Sequence, residues 1–306
     1  MKHHWRVLFL LVFFGVSTPQ AHAKKHWVGM WIRLASVPPV RNIHRLRMQP
    51  GQQNVIAVAG FRSVWVSRNG GKEWKRVFRV VGSKAITDGN RCQVRDIAWG
   101  YHRLFIATRR GLWVGGPKGP FHRATGLPLG KEIRAVVYRP HKRPKLGGET
   151  WVLAGREIWR QKKAKKAFAR LAVLGSELRR LAVGPGRSPR VAVVGRSAIY
   201  LSRDGARSFR LFAGGGKIRD VVFFRGPHHT VDLGVLDDTG LHIYQKKRTK
   251  WQLQTKRVFW GGAVSLQSDS NGKRAAFWIC GARLWALGGD KRKVISLDTG
   301  LTGPKR

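Results

Sequence analysis

One short strand pattern recurs six times along this chain, with a ring-bearing side chain always at its third position. The copies read SVWV, GLWV, EIWR, AIYL, GLHI and RLWA, and they place Trp65, Trp113, Trp159, Tyr200, His242 and Trp285 at that position. Successive copies are separated by 48, 46, 41, 42 and 43 residues. A chain that repeats at a nearly constant interval builds the same structural unit several times, and each unit buries its apolar face against its neighbours.

Each copy is the third of four short apolar runs that always come in the same order. Within the runs apolar residues alternate with a period of two, and Gly, Pro and charged turns separate them, which is typical of β-strands. Four strands in about 40–45 residues is the period of a β-propeller blade. We therefore predict an all-β propeller of about six four-stranded blades, with seven as the alternative. Its repeat units lie near residues 42–80, 93–130, 132–175, 177–216, 217–261 and 262–302. A long β-sandwich is the alternative, but it has no reason to keep one aromatic residue in register six times.

The N-terminal segment has the features of a secretory signal peptide. Lys2 and Arg6 give a positive start, residues 7–16 form an apolar run too short to span a bilayer, and residues 21–23 read Ala-His-Ala. We therefore expect cleavage after Ala23, leaving residues 24–306 as one periplasmic or secreted propeller domain without a transmembrane segment. An uncleaved amphipathic anchor is the alternative. Residues 31–40 resemble one more outer strand, which either closes the ring with the last blade or belongs to a seventh blade.

An exported location permits a disulfide bond. The chain has two cysteines, Cys92 and Cys280, and the sequence leaves open whether they are bridged.

The charge of the chain is strongly positive, with 60 Lys and Arg against 15 Asp and Glu and a formal net charge of +45. Such a balance concerns partners and solubility rather than fold. Three explanations compete: an anionic partner, solubility alone, or an acidic habitat in which carboxylates are a liability. Composition alone does not separate them.

Arginines recur in register at two positions of the repeat. In a propeller, the turns between the second and third strands and the starts of the first strands lie on the same face, and we call this the Arg-rich face. Because the arginine fork suits carboxylate and phosphate groups, we predict that this face binds an acidic protein or an anionic envelope component, and nucleic acid only non-specifically. The alternative is that edge arginines only prevent strand aggregation. The inner-strand position holds Arg95, Arg134, Arg179 and Arg219, and the turn position holds Arg62, Arg109, Arg156 and Arg196.

Two octets of the chain are nearly the same: SRNGGKEW at residues 67–74 and SRDGARSF at residues 202–209. They match the pattern Ser-x-Asp-x-Gly-x-x-Trp, the second octet with Ala206 in place of the glycine. In this respect the chain resembles Asp-box, or BNR, repeat β-propellers, especially exported proteins similar to photosystem II stability/assembly factors. The resemblance covers nearly the whole mature chain through its repeat layout. It implies that the octets are structural turns, in which the Ser and Asp side chains bind backbone amides and the aromatic ring packs beneath. The matching residues are Ser67, Asn69, Gly71, Trp74, Ser202, Asp204 and Phe209.

Asp-boxes also occur in sialidases, so an enzyme must be considered. A retaining sialidase needs a Tyr nucleophile with a Glu base, an Asp acid and three substrate-binding arginines. Its early Arg-Ile-Pro element is missing here, because Arg33 is followed by Leu34. The pair His228 and His229 lacks Cys or carboxylate neighbours at metal-ligand spacing. We therefore expect a non-enzymatic binding or assembly scaffold without a cofactor or metal, with an exported sialidase-like glycoside hydrolase as the alternative.

Overall fold

The computed structural model describes residues 9–11, 31–33, 43–50, 52–80, 93–141, 147–163, 166–185, 189–214, 216–225, 231–247, 250–257, 267–268, 275–277, 285–287 and 294–296. All regular elements in these ranges are β-strands, and they form four-stranded antiparallel sheets apart from one two-stranded pair. The prediction of an all-β chain built from four-stranded units is therefore confirmed.

We call each four-stranded sheet a blade. Blade 1 comprises β3 (Arg45–Gln49), β4 (Gln52–Ala59), β5 (Ser63–Ser67) and β6 (Lys75–Arg79). Blade 2 comprises β7 (Val94–Trp99), β8 (Leu104–Thr108), β9 (Gly111–Gly115) and β10 (Phe121–Arg123). Blade 3 comprises β11 (Ile133–Pro140), β12 (Gly148–Ala154), β13 (Glu157–Gln161) and β14 (Ala169–Val173).

Blade 4 comprises β15 (Arg180–Val183), β16 (Val191–Val194), β17 (Ala198–Ser202) and β18 (Arg210–Gly214). Blade 5 comprises β19 (Asp220–Arg225), β20 (Val231–Asp237), β21 (Gly240–Lys247) and β22 (Lys250–Arg257). Blade 6 comprises β23 (Gln267–Ser268), β24 (Ala275–Phe277), β25 (Trp285–Leu287) and β26 (Val294–Ser296). The remaining strands, β1 (Phe9–Leu11) and β2 (Trp31–Arg33), pair with each other. The sequence predicts an outer strand in residues 31–40. Within the described strands, their part in β2 pairs with β1 and not with blade 6.

The blades follow one another in chain order around a common centre. Within a blade the strands pair consecutively, and the first strand of each blade contacts the first strand of the next, from β3 through β7, β11, β15 and β19 to β23. The apolar core lies between blades. One cluster joins Val64 of blade 1 to Ile97 and Ile106 of blade 2, and equivalent clusters join blades 2 and 3, 3 and 4, and 4 and 5. Each sheet therefore buries its apolar residues against a neighbouring sheet, as the repeat requires.

The recurring aromatic residue marks an irregularity in the sheet. The pairing of the third and fourth strands shifts register beside Trp65 in blade 1, beside Trp159 in blade 3 and beside Tyr200 in blade 4. Each of these rings is half-buried, and the indole Nε1 of Trp65 donates to Ser63 Oγ at 3.1 Å. Trp159 packs against the core cluster between blades 2 and 3 and Tyr200 against the cluster between blades 3 and 4, so the bulge directs these rings toward the neighbouring blade.

Candidate functional site

The two sets of in-register arginines differ in exposure. The inner-strand residues Arg95, Arg134, Arg179 and Arg219 are half-buried, whereas Arg62, Arg156 and Arg196 in the turns are exposed. Arg109 is half-buried, and its backbone N–H donates to Gln93 O at 3.1 Å. The Arg-rich face therefore has a recessed inner set and a more accessible outer set.

Two of the inner arginines link neighbouring blades. Arg95 of blade 2 forms an ion pair with Glu132, which lies just before the first strand of blade 3. Arg134 of blade 3 makes the equivalent pair with Glu177 before blade 4, with 2.6 Å between Nη1 and Oε1, and also donates to Leu178 O at 3.1 Å. Each arginine thus reaches a glutamate two residues ahead of the arginine in the next blade. At these two positions the arginine ties one blade to the next, and Arg134 also pairs with Glu132 of its own blade, with 3.1 Å between Nε and Oε2.

Arg134 strongly affects Glu177. Its hydrogen bond to the Glu177 carboxylate lowers the pKa of that group, and the charges of Arg134, Arg179 and Arg196 lower this pKa further. Glu177 is therefore held ionised among three guanidinium groups.

The junction between blades 4 and 5 breaks the pattern. The position that holds Glu132 and Glu177 in the preceding blades is occupied by the exposed Lys217 in blade 5. Arg219 in the same blade pairs with Asp238, with 2.9 Å between Nε and Oδ1. The position equivalent to Glu132 and Glu177 is therefore a cation in blade 5, where the carboxylates of Asp237 and Asp238 lie instead at the end of β20 and in the turn after it.

A second layer of charge lies deeper, where the first strands meet. Asp96 accepts from Arg45 Nε at 3.2 Å through Oδ1 and from the backbone N–H of Val136 at 3.2 Å through Oδ2, so one carboxylate joins blades 1, 2 and 3. Arg45 and Asp96 are both buried. Across from them, Arg180 donates through Nε to Arg219 O at 3.0 Å. Burial, reinforced by the charge of Arg45, lowers the pKa of Arg180 to about 10.

Sequence reasoning missed this inner layer, although a signal for it existed. The residue that follows the in-register arginine is itself charged in several copies: Asp96 in VRDI, Arg180 in LRRL and Asp220 in IRDV. A charged residue at a strand position that alternates toward the centre indicates a charged channel lining.

The two octets form turns held by their own side chains. Ser67 Oγ donates to Asn69 Oδ1 at 3.0 Å and accepts from the backbone N–H of Gly71 at 2.7 Å. In the second octet Ser202 Oγ donates to Asp204 Oδ1 at 2.7 Å and accepts from Ala206 N–H at 2.8 Å.

The glycine position of the octets adopts a left-handed backbone in both cases. Gly71 has a φ of 88°, and Ala206 keeps a φ of 73° although it is not glycine. Phe209 packs against the core cluster between blades 3 and 4, and Trp74 is half-buried. The octets therefore have the geometry of structural turns.

The remaining sequence candidates lie outside the described residues or form no site within them. Cys92, Cys280, His228 and His229 are outside the described ranges. Within those ranges no group of three His, Cys, Asp or Glu side chains is placed to hold a metal ion. In the same part of the chain, no helix has the length or apolar character needed to cross a bilayer.

Comparison with known proteins bears on the fold alone. No protein-family model matches the sequence, and no curated protein matches it. Among solved structures, YCF48 bound to D1 peptide is similar with a TM-score of 0.50 and 13% identity, over 75% of this chain and 73% of that one. The fold is a β-propeller.

Two further solved structures show how widely such a fold is used. An auxiliary nutrient binding protein from Bacteroides thetaiotaomicron has a TM-score of 0.52 and 12% identity, over 70% of this chain and 57% of that one. An ancestral GH74 enzyme has a TM-score of 0.59 and 11% identity, over 86% of this chain and 41% of that one. The present chain thus spans less than two thirds of the length of these two proteins. Because these similar structures include a binding protein and an enzyme, the function of this chain must be argued from its site.

Proposed function

We propose that the protein is an exported, non-enzymatic scaffold that binds an acidic partner on the Arg-rich face, centred on blades 4 and 5. In this proposal residues 1–23 are a cleaved signal peptide and the mature chain is a six-bladed propeller in the periplasm or outside the cell. The partner is an acidic protein segment or an anionic envelope component. That YCF48 is a propeller bound to a peptide makes a protein segment the first choice.

The observation that carries the proposal is the change from glutamate to Lys217 at the blade 4–5 junction. At the preceding junctions, Glu132 and Glu177 neutralise the inner arginines, and a partner would have to displace them. Beside Arg179 and Arg196 lies the carboxylate of Glu177, which Arg134 already engages. An incoming carboxylate would therefore meet the guanidinium forks of Arg179 and Arg196 without displacing a glutamate from the Lys217 position, while Asp238 of the same blade already pairs with Arg219.

The ion pairs also reduce the number of predicted arginines that are available to bind a partner. Arg95 and Arg134 are ion-paired across blade junctions and Arg219 is paired with Asp238 inside its own blade. We propose that the main role of these three arginines is structural. Arg179, Arg196 and Arg156 remain as binding residues of the proposed site, with Arg62 and Arg109 more distant along the ring of blades.

The glycoside hydrolase alternative requires a tyrosine beside a glutamate in one pocket. Tyr101 and Tyr138 share a pocket, and no carboxylate is among the described residues that line it. This pocket therefore lacks the tyrosine–glutamate pair of a retaining sialidase.

The test is a charge reversal matched between the two faces. One variant carries Arg179→Glu, Arg196→Glu and Lys217→Glu; its control carries Lys162→Glu, Lys163→Glu and Lys166→Glu, three exposed residues on the opposite face. The probe is a fluorescein-labelled hexaglutamate peptide followed by fluorescence anisotropy, together with pull-down from the cell envelope of the source. We expect the first variant to bind the peptide at least about tenfold more weakly at 0.15 M salt, and the control to lose affinity only at low salt.

Thermal unfolding of the lysine variant should stay close to that of the parent, because exposed charges contribute little to stability. Arg179 is half-buried, so near-ultraviolet circular dichroism checks that the first variant keeps its fold before its binding is compared. Equal weakening by both triple variants would overturn the proposal, since the arginines would then be ordinary surface charge.

A further inference from the structure

A pocket lies between blades 2 and 3 on the face opposite the Arg-rich face. It opens among the turn after β7, the outer strand of blade 2 and the start of β12, and its volume is about 570 Å³. Cavities of this size hold small molecules in other proteins. The site is separate from the proposed acidic-partner site, because turns between first and second strands and turns between second and third strands lie at opposite ends of a blade.

The inner wall of the pocket is aromatic. The rings of Phe105 and Tyr138 stack, with 5.7 Å between centroids and 20° between planes. Tyr101 approaches Tyr138 edge-on at 6.1 Å, and its hydroxyl donates to His141 O at 3.0 Å. Because each ring is fixed by another ring or by a hydrogen bond, the wall is preorganised, and the perpendicular rings of Tyr101 and Tyr138 form an apolar corner.

Two glycines allow the rings to lie directly against the backbone. A Cβ atom at Gly148 would come within 2.6 Å of Tyr138 Cζ and 2.4 Å of Arg139 O, which no side chain can do. A Cβ atom at Gly100 would lie 3.2 Å from Phe105 and 3.3 Å from Tyr138. The absence of side chains at these two positions shapes the pocket around Tyr138.

The rim of the pocket is cationic. Arg103 and Arg123 are exposed residues in its lining, and no carboxylate is among the described residues that line it. Within the described part of the chain Arg103 forms no ion pair with an acidic residue, so its guanidinium is available to a ligand.

Tyr138 adds a neutral donor to the apolar wall. Burial raises its pKa to about 12, an effect to which Tyr101 adds and which Arg103 reduces. The hydroxyl therefore remains protonated near neutral pH, where it can donate a hydrogen bond to an anion held at the rim.

We propose that this pocket binds a small planar aromatic anion, with its ring against the Tyr101–Tyr138 wall and its carboxylate or phosphate at Arg103. An aromatic corner with a cationic rim matches the two halves of such a molecule, since the ring buries apolar area and the anion meets a guanidinium fork. An inorganic anion would gain only the contact with the guanidinium, and an uncharged ring would gain only the burial against the aromatic wall.

Isothermal titration calorimetry of the mature protein with phenyl phosphate, inorganic phosphate and phenol tests this inference. We expect phenyl phosphate to bind at least about tenfold more tightly than either half-molecule. Arg103→Gln should weaken phenyl phosphate about tenfold, as expected for a lost charge-assisted hydrogen bond. Thr125→Trp, a change at an exposed residue of the lining, should block the pocket and abolish binding. Arg207→Gln, at an exposed residue of another blade, is the matched charge control and should leave binding unchanged.

Near-ultraviolet circular dichroism checks that each variant keeps its fold. The proposal is wrong if phenyl phosphate binds no better than inorganic phosphate, or if Arg103→Gln and Arg207→Gln weaken binding equally. Loss of phenyl phosphate binding in the Arg179, Arg196 and Lys217 charge-reversal variant would also overturn it, since the anion would then bind the Arg-rich face.

Discussion

Replacing Asp96 by Asn should destabilise the propeller far more than any surface charge change. Both carboxylate oxygens of Asp96 accept from donors: Oδ1 from Arg45 Nε and from the backbone N–H of Ile97, and Oδ2 from the backbone N–H of Val136. An asparagine turns one of these oxygens into an NH₂ group, so in either orientation a donor faces a donor. The substitution also leaves the buried Arg45 without its full countercharge.

The magnitude follows from that burial. The side chains of Arg45 and Asp96 are 1% and 5% exposed. Breaking such a buried pair from one side costs about 3–5 kcal/mol, because the remaining charge loses its partner without regaining water. For a chain of this size a loss of 1 kcal/mol lowers Tm by roughly 2–4 °C, so we expect a decrease of about 10 °C.

Differential scanning calorimetry and urea unfolding measure the effect, with Asp238→Asn as the control. Asp238 pairs with Arg219 at the surface, where the two side chains are 45% and 35% exposed, so its loss should cost less than about 1 kcal/mol. The double variant Arg45→Leu and Asp96→Leu should be more stable than Asp96→Leu alone, because it does not leave Arg45 buried without its countercharge. If Asp96→Asn were no more destabilising than Asp238→Asn, the buried ion pair would not join the blades as argued here.

Two further predictions concern the turns and acid. Ser202→Ala removes the acceptor of the buried Ala206 N–H and should lower the free energy of unfolding, measured in urea, by about 1–3 kcal/mol. Ser208→Ala, at the exposed edge of the same turn, should lower it by less. Equal losses would argue against a structural role for the octet. Hydrogen bonds from Lys131 to Glu157 and from Arg134 to Glu177 lower the pKa of each carboxyl from its ordinary value of 4.5. Their stabilisation is therefore fully present above about pH 4.5 and is lost as the pH falls through the lowered pKa values. The urea midpoint should stay level from pH 7 to about 5 and decline at lower pH, and a decline that begins near pH 6 would contradict this assignment.

The repeat and the local turns could be read from the sequence. The order of strands, their antiparallel pairing within a blade and the position of the recurring aromatic residue depend on alternation and turn residues that are close together in the chain. The octets belong to the same class, because Ser67 and Ser202 bind atoms only two to four residues away. The geometry of such local hydrogen bonds depends only on residues that are neighbours in the chain.

What the arginines do was decided only by the tertiary structure. Sequence placed Arg95, Arg134 and Arg179 at one repeat position and treated them alike. The glutamate partners of Arg95 and Arg134 come from the next blade, about forty residues further along, so whether an arginine is paired depends on how adjacent blades are packed. The buried pair of Arg45 and Asp96 and the aromatic pocket around Tyr138 arise in the same way, from side chains of different blades. Charge and burial at such junctions depend on distances through space that no local pattern encodes.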